Sequence, residues 1–162
     1  AYGFSLKQSA EANSMFFIGM ALGGPSAVLW ASKLGSKLIP IRIGCFMSAS
    51  VLTLFVSGVV PTYLAPWLLL VMGYCTSVKV LVFSMVKDFG SSKTIATSVA
   101  FINMFVTLAG IIFQPFSGYL LHMCKQASYA CATLSYSVAL AYIPLLLLSV
   151  IPISHSLSEQ GA

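Results

Sequence analysis

The chain has 162 residues, of which 59% are hydrophobic and only 7% are charged. Its mean hydropathy of +0.97 lies outside the range of soluble globular domains, so the composition predicts an integral membrane protein. The net charge of +5 comes from eight Lys and Arg residues spread singly between apolar segments, which excludes a basic nucleic-acid-binding face and favours a role in membrane orientation.

Five apolar segments are long enough to cross a bilayer, because a hydrocarbon core of roughly 30 Å needs about 20 residues of helix. We therefore predict an all-α fold, a polytopic transmembrane helix bundle in one domain over residues 1–153, followed by a polar tail over residues 154–162. The predicted spans are residues 11–32, 41–60, 66–86, 94–121 and 134–153.

The first predicted span carries a small residue at every fourth position. Gly19, Gly23 and Ala27 leave one face of the helix bare, and such a face lets a neighbouring backbone come close. We interpret these three as helix-packing residues. The basic connection that follows contains Lys33 and Lys37, together with residues typical of turns.

The third predicted span contains Lys79, the only charge well inside an apolar segment. A Lys that faces lipid at this depth is costly, so we predict that Lys79 meets water or an anion in a substrate pathway. The alternative is that its long stem lifts the ammonium group to the membrane surface. Tyr74 and Ser77 flank Lys79 and are assigned to the same pathway, with contact between helices as the alternative.

The fourth predicted span is free of charge but has a polar stripe. Its polar and small residues recur at steps of four, three, four and three, which places them within an arc of about 80° on a helix that turns about 100° per residue. Amide side chains are expensive in lipid, so the stripe predicts either packing against other helices or a wet substrate pathway. Asn103, Thr107 and Gln114 are the pathway candidates, Gly110 is assigned to helix packing, and Ser117 completes the stripe.

Basic residues favour one side of the predicted bundle. The connections at residues 33–42 and 87–93 lie on the same side as the tail and hold most of the Lys and Arg residues, so the positive-inside rule places the C-terminus in the cytoplasm. We expect a bacterial inner (plasma) membrane. An outside N-terminus in a chain that starts with Ala1 rather than Met predicts a fragment of a longer protein, with at least one earlier helix.

The chain shows no residues for enzymatic chemistry, so we expect neither an enzyme nor a metal or other cofactor. No Asp or Glu lies deep in a predicted span, and no Gly-rich phosphate loop follows a strand. The four cysteines have no metal-type spacing. Cys124 and Cys131 share one polar connection, and a bridge between them requires that this connection faces an oxidising compartment.

The order of these features resembles the C-terminal half of a major facilitator superfamily transporter. Residues 2–37, a Gly-rich helix end and a short basic turn, are similar to that superfamily's eighth helix with its flanking loops. Residues 94–122, with Asn103, Gly110 and Gln114 followed by proline, are similar to its eleventh helix. The resemblance covers nearly the whole chain as helices eight to twelve. Lys33, Gly35 and Lys37 match the cytoplasmic loop motif, whereas its acidic position is Ala31.

The resemblance implies a twelve-helix secondary carrier, a symporter or antiporter, whose two halves rock around a central site. The seventh helix and the N-terminal half would lie outside this chain. The expected substrate is a small polar solute, with an anionic metabolite or an amino acid suited to Lys79. If a proton is the coupling ion, its titrating acid would lie in the absent half. The alternative is a non-transporting structural or accessory membrane protein whose polar stripes serve assembly only.

Overall fold

The computed structural model describes residues 5–89, 94–127, 137 and 139–159, and every element within these ranges is helical. The prediction of an all-α fold is confirmed for this part of the chain. Cys131 and the side chain of Cys124 lie outside the described residues, so their bridging stays a prediction. The elements are α1 (Leu6–Leu34), α2 (Leu38–Val56), a 3-10 turn (Thr62–Leu64), α3 (Ala65–Thr76), α4 (Lys79–Phe89), α5 (Ile95–Ala127) and α6 (Tyr142–Glu159).

Four helical stretches in the described ranges are long and apolar enough to cross a membrane, which supports a membrane protein. They are Leu6–Leu34, Leu38–Val56, Thr62–Lys87 and Ile95–Met123. The apolar part of α6, Tyr142–Ser154, is shorter, and the first residues of the predicted fifth span, 134–136, lie outside the described ranges. The count of five spans therefore stays a prediction.

α1 starts and stops at residues suited to helix ends. The Gln8 backbone N–H donates to Ser5 Oγ at 3.3 Å, and the Ser5 backbone N–H donates to Gln8 Oε1 at 3.0 Å, which forms a capping box. Gly35 ends the helix with a φ of 61°, a left-handed conformation that glycine adopts without steric cost. The capping box starts the helix earlier than the predicted boundary at residue 11.

α1 and α3 pack with their backbones in direct contact. A Cβ atom added to Gly19 would overlap the backbone carbonyl of Leu70, and one added to Gly73 would overlap the backbone carbonyl of Phe16. A Cβ on Gly23 would likewise overlap α3. Within a membrane such contact gains dispersion energy that lipid chains cannot supply as well, so these glycines hold the first and third spans together.

The buried apolar core lies where α1, α2 and α4 meet. Ala27 and Ala31 come from α1, Ile41 comes from α2, and Leu81 comes from α4 with only 1% of its surface exposed. Small residues on α1 let the larger Leu81 fit between the helices. The core therefore places α4 in a fixed position against the first two spans.

The third predicted span, residues 66–86, consists of two helices instead of one. α3 ends at Thr76 and α4 begins at Lys79. Across the junction, the Val80 N–H donates to the Ser77 carbonyl at 3.0 Å and the Leu81 N–H donates to the carbonyl of Val78 at 2.9 Å. These bonds join residues three apart, which is the tighter spacing of a 3-10 turn.

Side-chain hydroxyls, rather than proline or glycine, accompany this break. Ser77 Oγ donates to the Tyr74 carbonyl at 2.6 Å, and Thr76 Oγ1 donates to the Met72 carbonyl at 2.9 Å. A side-chain hydroxyl that donates to a carbonyl of the preceding turn competes with the backbone N–H groups for that carbonyl, and this weakens the hydrogen bonds of the helix. Apolar periodicity contains no sign of this competition, and the sequence therefore predicted a continuous helix.

Arg42 fastens α6 to α2. Its Nε donates to Ser154 Oγ at 2.7 Å and its Nη2 donates to the Ser154 carbonyl at 2.7 Å. Arg42, expected in the connection between two spans, thus lies inside α2 and makes a tertiary contact. The region predicted as a polar tail, residues 154–162, also begins as helix, because α6 continues through residue 154 to Glu159.

We expect that Gly19→Ala destabilises the full-length protein by about 1–3 kcal/mol, because the added methyl group displaces the backbone of α3. The measurement is the thermal unfolding midpoint in detergent. Gly118→Ala is the control, since its Cβ would meet nothing within 4 Å in the described part of the chain. Equal midpoints for the Gly19 variant and the wild type would show that α1 and α3 are not packed this closely.

Ser154→Ala should cost about 1–2 kcal/mol, because it removes an acceptor for the Arg42 guanidinium at a residue that is only 4% exposed. Ser149→Ala is a matched control on α6, where the lost hydroxyl bonds only to the Leu146 carbonyl of its own helix. Chemical unfolding in detergent compares the two variants. A Ser149 variant as unstable as the Ser154 variant would contradict the role of Arg42.

Candidate functional site

The polar stripe of α5 is uncovered over most of its length. Asn103, Thr107, Gly110 and Gln114 are all exposed, and the most apolar part of α5 has no residue buried against the described helices. Thr107 Oγ1 donates to the Asn103 carbonyl at 2.9 Å within the same helix. The amides of Asn103 and Gln114 have no hydrogen-bond partner in the described part of the chain. They thus form the free polar surface of α5.

The C-terminal end of the stripe contacts α6 through Tyr142. Ser117 Oγ lies 2.6 Å from Tyr142 Oη, and the Tyr142 ring contacts the rings of Phe113 and Phe116 at centroid distances of 6.0 and 5.5 Å. Tyr142 is not among the residues that the sequence pattern predicts for the site. Its signal is a phenol within an apolar segment, because a tyrosine hydroxyl away from water needs a partner.

Lys79 is the first residue of α4 and its side chain is exposed. In the described residues it has no acidic or other hydrogen-bonding partner. The backbone N–H groups of Val80 and Leu81 are bonded across the break, so the start of α4 adds little charge of its own. The charge within this membrane-length apolar stretch is therefore the Lys79 ammonium group.

Tyr74 and Ser77, the other residues assigned to the pathway on this span, differ in exposure. Ser77 is 4% exposed and lies against Gly23 of α1, which is the interhelical contact weighed as the alternative. Tyr74 is 36% exposed. The two residues at the break therefore face different surroundings: Ser77 packs on α1, whereas the Lys79 side chain is exposed.

The residues of the cytoplasmic loop motif end one helix and connect to another. Gly35 terminates α1 after Lys33, which is exposed in the last turn. Lys37 Nζ donates to the Ser84 carbonyl of α4 at 3.2 Å. The loop therefore ties the start of α2 to the second half of the broken span.

Of the residues assigned to helix packing, Gly19, Gly23 and Ala27 are buried on α1. A Cβ on Gly110 would meet nothing within 4 Å in the described structure, so its role in packing stays a prediction. Ser48 was missed by the sequence analysis. It is buried on α2, and its hydroxyl has no partner among the described residues.

The described residues contain no group of three His, Cys, Asp or Glu side chains that could hold a metal ion. In the described residues the chain is a helical protein with four apolar stretches that could span a membrane, which supports the class of helical membrane proteins. A scan against protein-family models, a search of curated proteins and a search of solved structures found no match to this chain. The resemblance to the major facilitator superfamily therefore stays a prediction from the sequence.

Water access should distinguish the two faces of α5. In a full-length variant without native cysteines, single cysteines at 103, 107 and 114 should react faster with a membrane-impermeant maleimide than cysteines at 105 and 112. The thiolate is the reacting species and forms only where water reaches the sulfur. Labelling is measured in intact membranes, and equal labelling of both faces would contradict a wet stripe.

Proposed function

We propose that this chain forms part of a secondary carrier that moves a small polar solute across a membrane by alternating access. In this proposal the chain is the C-terminal half of a major facilitator superfamily transporter, and an N-terminal half of the same protein faces it. The solute passes between the halves, on the side where α5 presents its polar stripe.

The observation that carries the proposal is the exposed polar stripe on a helix of membrane length. Asn103 and Gln114 lie about 16 Å apart along α5 at 1.5 Å per residue, and both amides are without partners in the described structure. An amide in hydrocarbon is costly, so this face requires water, a solute or further polar groups. A transport pathway between two halves supplies all three.

Lys79 suggests the class of solute. An exposed ammonium group at the start of α4 attracts a carboxylate or another anionic group. An amino acid or an anionic metabolite fits this chemistry. The break between α3 and α4 also supports a carrier, because interrupted helices place charged groups at the depth where substrates bind. A coupling proton would titrate on an acid of the other half.

A structural or accessory membrane protein is the second candidate. The observation that favours it is the sparse packing of α5, which suits a helix that docks on a partner protein. In that case Asn103 and Gln114 bond to the partner and no water-filled pathway exists.

Uptake of labelled amino acids and carboxylic acids by cells that produce the full-length protein tests the proposal. For a solute that is taken up, Asn103→Leu and Gln114→Leu should each reduce uptake about tenfold, because the solute loses a hydrogen bond to the amide. Lys79→Leu should reduce the uptake of anionic solutes most strongly. Membrane levels of each variant are measured in parallel.

Phe105→Leu is the matched control, since Phe105 lies on the opposite side of α5 and its ring contacts the Phe101 ring edge to face in the described structure. Its uptake should stay within about twofold of the wild type. Normal uptake by the Asn103, Gln114 and Lys79 variants would remove these residues from the pathway. If no solute in the panel is transported and the stripe is inaccessible to maleimide, the accessory protein is the better assignment.

A further inference from the structure

A cavity of about 510 Å³ lies among α2, α4, α5 and α6, away from both Lys79 and the polar stripe. Aliphatic side chains form most of its wall, among them Ile41, Val82, Met85, Ile102 and Val150. Its volume falls within the range of about 300–1,000 Å³ that small-molecule sites occupy. A solute with many polar groups would find few partners here, because most of the lining side chains are apolar.

Hydroxyl side chains form the polar part of the cavity wall, and one of them bonds to a cation. Thr94, Ser98 and Ser154 line the cavity, and Ser154 accepts hydrogen bonds from Arg42. Lys37 instead donates to the Ser84 carbonyl and lines a different cavity with Leu81. Arg42 is therefore the cation that the described contacts place at this cavity.

Arg42 keeps binding capacity beyond its contact with α6. A guanidinium group has five N–H donors, and the two bonds to Ser154 use only two of them. The others have no partner among the described residues. Glu11 is the only carboxylate whose side chain is described, and it lies in the first turns of α1 beside Lys7. Among the described side chains, no carboxylate lies at this cavity to neutralise the remaining donors of Arg42.

We propose that this cavity binds an anionic phospholipid of the surrounding membrane, with one acyl chain between α4, α5 and α6 and the phosphate group at Arg42. An aliphatic cavity in a membrane protein stays free of water, and an acyl chain fills it with dispersion contacts. Acyl chains are alike in neutral and anionic lipids, so the preference for an anionic lipid comes from Arg42. Basic pockets between helices bind anionic head groups in this way.

Native mass spectrometry of the purified full-length protein tests this site. Phosphatidylglycerol and phosphatidylcholine with identical acyl chains are added in equal amounts, and the lipid that stays bound is identified. We expect the wild type to retain phosphatidylglycerol preferentially. Arg42→Gln should weaken its retention about fivefold, the effect of one cation near a lipid phosphate, whereas Lys33→Gln, at an exposed residue outside the cavity, should not.

Arg42→Gln also removes a contact between α2 and α6, so a second pair of variants tests the cavity while Arg42 stays in place. Val82 lines the cavity and is 39% exposed, whereas Val80 is 38% exposed on the same helix and does not line it. Val82→Phe should fill the cavity and abolish retention of the lipid, and Val80→Phe should retain it as the wild type does.

Three results would overturn the proposal. Equal retention of the two lipids would show that Arg42 gives no preference. Retention of no lipid by the wild type would show that the cavity does not hold a phospholipid. Binding of soluble glycerol phosphate as tight as that of the lipid would show that the acyl chain contributes nothing. Because the cavity is separate from the stripe, these outcomes leave the transport proposal unaffected.

Discussion

The contact between the backbones of α1 and α3 is the interaction on which the rest of the bundle depends. Lipid gives no hydrophobic force that drives helices together, so association relies on dispersion and on close approach. The absence of side chains at Gly19 and Gly73 lets the two helices touch along their carbonyl groups. With α3 held there, the break after Thr76 and the buried Leu81 position α4, and α4 in turn contacts α5.

Polar groups connect the outer elements, and each connection satisfies atoms that lipid would leave unpaired. Arg42 bonds to Ser154 on α6, Lys37 bonds to the Ser84 carbonyl of α4, and Tyr142 bonds to Ser117 on α5. Such pairs are worth more as a means of fixing which helices are neighbours than as sources of stability. The amides of α5 are the exception, and their exposure is the reason to assign them a function.

Much of the helical architecture is predictable from the sequence, because membrane spans require long apolar segments and these segments are conspicuous. The break at Ser77 is not predictable in this way, since no proline or glycine marks it and only hydroxyls compete with the ladder. The bond between Arg42 and Ser154 joins residues 112 positions apart, and a pattern read along the chain contains no such distance information. The sequence pattern therefore placed Arg42 in a connection between two spans, and it did not predict that the helix continues after residue 154.

α5 is held at two places, beside α4, with which Ile102 shares a cavity, and against Tyr142 of α6 at Ser117. Its 33 residues extend about 50 Å, and the hydroxyl contact between Ser117 and Tyr142 lies about 21 Å along the axis from Asn103. A tilt of about 10° around Ser117 displaces Asn103 by about 4 Å, more than a hydrogen-bond length. A small rotation at Tyr142 therefore requires α4 to move together with the first turns of α5.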